Sequence, residues 1–404
     1  MFCNLTCKKY LYTFPERILG VRHVQAALLF LALVISFGMR INMSMAIVAM
    51  TDPKQNNVSN TNDDGLLSSF FWGYIVLQIP GGELAGRYGG KLLVTLCVAI
   101  NSAVCMIIPI GASFVSILLT SRHGGWKFVC SCRVIQGLSQ GFLIPSIHSL
   151  IGSWAPLDEK GRLGTFIYGG AHLGTALQLI VSGFIADSWG WQGIFYTNGI
   201  LGTFWTVIFI LLGSNSPQYS KIISFEEKQY IQSSLGHIGE IWTSLPFISL
   251  IVVHCGENWG FWTLATEIPS YMSKVLGVNV KQNGMMSALP YLLMYLIGFP
   301  LAFTSDYIIK KKWLSITACR KLSNSIGMTA VSIFFAGLYL SSLVLTVTQN
   351  GVISPVPFTP ATDWQKVFYV AAAVYAIGNL VFLIFGTSER QSWNDPEQVT
   401  DTGI

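Results

Sequence analysis

"CRVIQGLSQGFLIPSIHSL", residues 132–150, is apolar or small almost throughout, yet Arg133 stands second in it. If the stretch crosses a bilayer, its guanidinium lies among hydrocarbon, where a charge at mid-depth costs from about 3 to more than about 10 kcal/mol. A residue kept there at such a cost has a task. Whether it is there at all depends on the rest of the chain.

Hydrophobic residues make up 52% of the 404 positions and charged residues 11%, against roughly 25% charged in a soluble domain. So few charges cannot cover a water-soluble surface, and the chain reads as an all-α polytopic membrane protein. Windows of about twenty residues place spans at 23–50, 66–81, 92–114, 127–152, 163–186 and 193–213. Further spans follow at 245–271, 284–305, 328–348 and 366–386. This even number puts both termini on one side. "GGELAGRYGGK" (81–91) reads as the end of a short second span.

Of the 24 Lys and Arg, most fall on the side that holds the termini, and Arg40 and Arg133 fall inside spans. By the positive-inside rule that side is the cytoplasm, so "KKKW" (310–313) is a topology signal and not a nucleic-acid patch. In the first outer loop, Asn57-Val58-Ser59 is a glycosylation acceptor; Asn4-Leu5-Thr6 falls on the cytoplasmic side and is discounted. The eight cysteines lie in spans or on the cytoplasmic side, which argues against a disulfide framework. Cys3 and Cys7, beside Lys8 and Lys9, read as unmodified thiols or as palmitoylation sites. The first apolar run is too long for a cleavable signal peptide. With no nucleotide-binding loop, metal-ligand cluster or catalytic triad in the sequence, an enzyme is not expected.

The longest polar connection, 214–244, follows the sixth span, and "SFEEKQYIQSSL" (224–235) within it reads as a short amphipathic helix capped by Ser224. The chain thus divides into a cytoplasmic N-terminus (1–22), a six-helix bundle (23–213), a central loop (214–244), a second bundle (245–386) and a cytoplasmic tail (387–404). That is the layout of a transporter built from two helical halves. "GGELAGRYGGK" and "AFTSDYIIKKK" (302–312) are basic turns after the second helix of each half. Each is either a latch on the opposing bundle or a tight loop that obeys the orientation rule.

Three stretches, "FFWGYIVLQIPGGELAGRYGGK" (70–91), "RVIQGLSQGFLIPSIHSLIGSWAPLDEKGRLGTFIYGG" (133–170) and "HCGENWGFWTLATEIPSYMSKVLGV" (254–278), resemble one family of the major facilitator superfamily. It is the anion:cation symporters, which include sodium-dependent phosphate transporters, sialin and vesicular glutamate transporters; the wording is most like that of insect phosphate cotransporters. The resemblance implies a twelve-helix fold with a central anion site and alternating access, driven by sodium or protons and needing no cofactor. It implies that Arg40 lies near the central cavity, that Arg133 binds the anion, and that Tyr74 faces the cavity. Arg87 and Lys91 match the cytoplasmic latch, and Asp306 with Lys310 matches its counterpart in the second half.

The chain departs from the family in four places. Gly86 stands where the latch normally carries an acid, and Glu83 is one turn away as a substitute. Gln140 replaces the glutamate thought to bear the proton in vesicular members, so that proton mechanism does not transfer. Glu257 stands where vesicular glutamate transporters carry a second arginine. Between 327 and 363 there is room for one span where the family has three, which leaves the second bundle short of two helices and about ten spans in all.

The expected binding set is therefore Arg40, Arg133, Tyr74, Gln140 and Asn258, with Glu257 as the ion-coupling acid. Snorkelling of Arg133 past Lys127 to the interface is the alternative, as is a structural role for Glu257. His148 and His172 read as buried, satisfied histidines, and the glycines of spans four and five as sites of close helix packing. The expected function is symport of inorganic phosphate or an organic carboxylate by a monomer in the plasma membrane or a vesicular or lysosomal membrane. Two alternatives stay open: a vesicular or lysosomal proton-coupled carrier of acidic sugars or amino acids, and a transport-inactive splice isoform or membrane interaction protein.

Overall fold

The structure is a computed structural model that describes residues 20–50, 63–118, 124–156, 159–220, 222–234, 245–274, 277–329 and 361–387. Among these residues every regular element is a helix. A bilayer core offers no water to a bare backbone, and a helix satisfies its own N–H and C=O groups. The first half comprises α1 (Val21–Met50), α2 (Asp63–Tyr88), α3 (Gly90–Leu118), α4 (Gly124–Gly141), α5 (Leu143–Trp154) and α6 (Lys160–Leu212). After α7 (Phe225–Ser234), the second half comprises α8 (Leu245–Lys274), α9 (Val280–Lys310), α10 (316–329) and α11 (Ala361–Phe385).

Two spans, the second and the fourth, differ from the sequence expectation. α2 does not end at the glycines of 81–86 but runs through them to Tyr88, and Gly89, at φ 87°, turns the chain into α3. The fourth window is two helices broken at Phe142. Pro145 has no N–H to give the Gly141 carbonyl, so the helical ladder fails there. The fifth and sixth windows are two helices, labelled together as α6, that meet at Gly190 (φ 72°, ψ −178°), a conformation that a residue with a Cβ rarely adopts. The window at 328–348 lies, beyond residue 329, outside the described residues. The loop helix is present as α7, where Ser224 Oγ accepts the Glu227 N–H at 3.3 Å.

Five of the described helices, α1, α3, α6, α9 and α11, are long and apolar enough to cross a membrane by length and composition. Their burial separates the halves. The most apolar window of α1 is 72% buried, while those of α9 and α11 are only 17% and 22% buried. α1 is the axis of a packed first half, its side chains buried without a break from Ile35 to Ala49. α9 and α11 leave most of their surface to the surroundings, as helices facing lipid do. The halves meet where α9 runs along the first part of α6 and where α8 reaches α1 and α2 through Phe261 and Trp262.

Candidate functional site

The site begins with a backbone approach. α2 and α4 cross so closely that a Cβ on Gly137 would strike the Phe70 carbonyl, and one on Gly141 would sit 2.7 Å from the Tyr74 carbonyl. Phe70 and Tyr74 are thereby pressed against the stripe of α4 that carries Arg133, Gln136 and Gln140, residues three and four apart that share a helix face. α1 supplies Arg40 from the other side. Both arginines are buried, at 3% and 2% exposure, far below what a snorkelling side chain would show.

Arg133 reaches inward. Its Nη1 donates to Gln136 Oε1 at 3.1 Å and its Nη2 to the backbone carbonyl of Arg40 at 3.0 Å, with Nη1 also 3.5 Å from the Met39 carbonyl. Arg40 Nε donates to Gln140 Oε1 at 2.8 Å. Gln140 Nε2 donates to the Ser36 carbonyl and to Asn101 Oδ1, both at 3.1 Å, and Asn101 Nδ2 donates to Ser139 Oγ at 2.6 Å. Gln136 Nε2 and Asn42 Nδ2 both point at Cys105 Sγ, at 3.2 and 3.6 Å. α1, α3 and α4 are thus joined by one polar network inside an apolar bundle.

Four aromatic rings surround the Arg40 guanidinium: Phe37 at 4.8 Å, Phe70 at 5.1 Å, Tyr74 at 4.4 Å and Trp262 at 4.5 Å. Such faces attract a cation by about 0.5 to 2 kcal/mol each. Trp262 comes from α8, so the second half covers a charge that the first half holds. Among the described residues neither arginine pairs with a carboxylate, and Arg40 Nη2 and Arg133 Nε have no hydrogen-bond partner. Two uncompensated guanidiniums with open N–H groups suit an oxyanion, whose lone pairs match the planar fork.

The structure thus brings together four of the five expected binding residues: Arg40, Arg133, Gln140 and Tyr74. Asn258 is apart from them, exposed, its amide donating to the His254 carbonyl one turn back at 2.8 Å. Glu257 lies on α8 beside His254, with Oε2 3.8 Å from Nδ1. His148 bonds the Tyr168 hydroxyl at 3.0 Å, whereas His172 Nδ1 is buried without a partner. Asn57 lies outside the described residues.

The latch residues find partners other than the opposing turn. Arg87 pairs with Glu83 on its own helix. Lys91 Nζ donates to the Ile210 carbonyl at 2.9 Å, and its backbone N–H to Asn215 Oδ1 at 2.8 Å, so both contacts stay within the first half. Asp306 does cross the halves, to Arg162 at 3.6 Å, while Lys310 is exposed in the last turn of α9. A further group went unread in the sequence. Arg22 donates Nε and Nη2 to Glu159 at 2.7 and 3.1 Å and Nη1 to Glu227 at 3.1 Å, and Glu227 also accepts the backbone N–H groups of Val21 and Arg22. This clamp fastens α7 to the start of α1 and the start of α6.

Two packed helical halves with a buried cationic centre define a membrane transporter fold. Residues 28–359 match the model of the Major Facilitator Superfamily, and the chain belongs to that family. A Drosophila melanogaster protein named "Putative inorganic phosphate cotransporter" is 32% identical over 474 residues, covering 95% of this chain and 88% of its own length. Human sialin is 30% identical over 460 residues, covering 93% and 91%. The crystal structure of a D-xylose–proton symporter superposes with a TM-score of 0.55 at 19% identity, covering 89% of this chain and 82% of that one; at that identity the likeness concerns the fold alone. The protein is therefore a multi-pass membrane protein whose relatives are transporters.

Proposed function

We propose that the chain is a secondary transporter that carries a small anion, inorganic phosphate or an organic carboxylate, together with sodium or protons by alternating access. One observation carries the reading: Arg40 and Arg133 are buried side by side, without carboxylate partners, each with an N–H group left open. The resemblance to a phosphate cotransporter and to sialin supports the class of cargo. Trp262 over Arg40 supports a form in which the site is closed, so that α8 withdraws when the anion enters. Uptake of radiolabelled phosphate into proteoliposomes tests the reading, and Arg133→Ala should abolish it. Undiminished uptake by a correctly inserted Arg133→Ala protein refutes the site.

A second reading follows from the length of the relatives. The alignment to the Drosophila relative runs to 474 residues against a chain of 404, so the relative has residues for which this chain has none. This favours a transport-inactive isoform. Inactivity of the well-folded protein toward phosphate and a panel of organic anions supports that reading, and gradient-driven uptake of any of them ends it.

A further inference from the structure

A second polar cluster lies where the halves meet. On α8, five and eight residues before Trp262, Glu257 and His254 stand 3.8 Å apart, Oε2 to Nδ1. The Tyr375 hydroxyl of α11 donates to the Glu257 carbonyl at 3.1 Å and fixes this turn of α8 from behind. From the first half comes His172 of α6, its ring edge-on to Phe261 with centroids 5.6 Å apart, its Nδ1 buried and without a partner. Phe261 is one turn on from Glu257, so His172 packs against the stretch of α8 that carries the pair, whose own side chains are exposed; His148 of α5 bonds Tyr168.

The other titratable groups around the cluster are Lys160 and Tyr168 of α6, Tyr291 of α9 against Phe261, and Tyr375 of α11. The arginine site differs in chemistry. It holds guanidiniums, amides, hydroxyls and thiols, and among its described residues neither an imidazole nor a carboxylate. Nothing there exchanges a proton readily near neutral pH, whereas imidazoles beside a carboxylate do. Nor does the cluster suit sodium. A hard cation asks for several oxygen ligands, and the neighbours that Glu257 meets here are imidazole nitrogens, which suit softer metals or a proton.

We propose that Glu257, with His254 and His172, is the site that takes up the coupling cation, and that this cation is a proton. The proposal rests on the reading of the chain as an anion transporter. A proton on His172 makes both ring nitrogens donors and adds a positive charge on α6 that attracts the Glu257 carboxylate, tying α8 to α6. Loss of that proton leaves a neutral ring and releases the tie. Glu257 and His254 belong to α8, which also carries Trp262, so the tie acts on the helix that covers Arg40.

The test uses the full chain in proteoliposomes with radiolabelled inorganic phosphate, and with sialate and glutamate in parallel. Exchange of labelled for unlabelled anion is measured first, then accumulation under a pH gradient in sodium-free medium and under a sodium gradient at equal pH. The wild type should exchange, and should accumulate under the pH gradient alone, by at most about tenfold per coupled proton for each pH unit. Glu257→Gln should still exchange but fail to accumulate, and its exchange should lose the wild-type pH dependence. His254→Gln and His172→Gln should each shift the pH of half-maximal exchange. Accumulation by Glu257→Gln equal to wild type overturns the proposal, as does sodium-driven accumulation by a wild type that ignores the pH gradient. Loss of exchange in inserted Glu257→Gln protein assigns the residue to anion binding and likewise overturns it. Absence of exchange in the wild type with all three anions instead defeats the transport reading, an outcome distinct from the others.

Discussion

Replacing Gln140 with glutamate changes one atom and, at neutral pH, one charge, at the point where α4 holds Arg40. The amide oxygen that accepts Arg40 Nε at 2.8 Å would become a carboxylate, and the net charge of the two-arginine site would halve. Opposite charges about 4 Å apart attract by about 4 kcal/mol at an effective dielectric constant of 20, so Arg40 would be held more firmly. An incoming anion at about 6 Å would meet a repulsion of about 3 kcal/mol on the same scale. That corresponds to a rise in KM of about a hundredfold. Loss of the amide N–H that bonds Asn101 and the Ser36 carbonyl adds to the effect, although Asn101 can turn its own N–H toward the new oxygen. The assay is anion uptake by Gln140→Glu against wild type from pH 5 to 8, with insertion checked by thermal melting in detergent. The deficit should persist across this range, because Arg40 and Arg133 hold the new carboxylate in its charged form. A KM equal to wild type at pH 8 in stable protein would refute the claim that Arg40 meets the anion.

Further outcomes follow from the packing and the ion pairs. Gly137→Ala forces a methyl into the Phe70 carbonyl and should destabilise the protein by about 1–3 kcal/mol. Gly164→Ala, with open space around its position, should leave thermal stability unchanged or raise it by up to about 1 kcal/mol; melting in detergent reads both. Arg22→Ala leaves Glu159 and Glu227 without their shared cation, and hydrogen exchange of α7 should rise severalfold while that of α3 stays unchanged. Charge reversal at Asp306 should alter stability by no more than about 1 kcal/mol, because the pair with Arg162 is half-exposed and screened by salt. An Arg162/Asp306 charge swap should restore the wild-type melting point.

The spans and the arginines were legible in the sequence for one reason: hydrocarbon tolerates few polar groups, so both the apolar runs and their exceptions stand out. Gln136 and Asn101 were readable on the same ground, as amides inside spans, and were passed over for want of a charge. Asn258 shows what the sequence withholds: a residue's angular position on its helix decides what its amide meets, and here the N–H meets its own helix. The seam at Phe142 depended on which carbonyl Pro145 leaves bare. The join at Gly190 depended on a backbone angle, since "SWGWQG" (188–193) reads equally as a loop. The clamp was illegible in principle. Arg22, Glu159 and Glu227 are far apart in the chain, and no local pattern relates them.

That clamp sets the length of the leash between the halves. From the end of α6 to the start of α8 the chain has residues 213–244. With α7 fastened to the first half, the chain from the clamped helix to α8 is residues 235–244, a length that reaches at most about 36 Å. The second half is therefore moored at Ser234, on the face expected to meet the cytoplasm, a point fixed to the first half. Cutting Arg22 free would lengthen that mooring without touching either bundle.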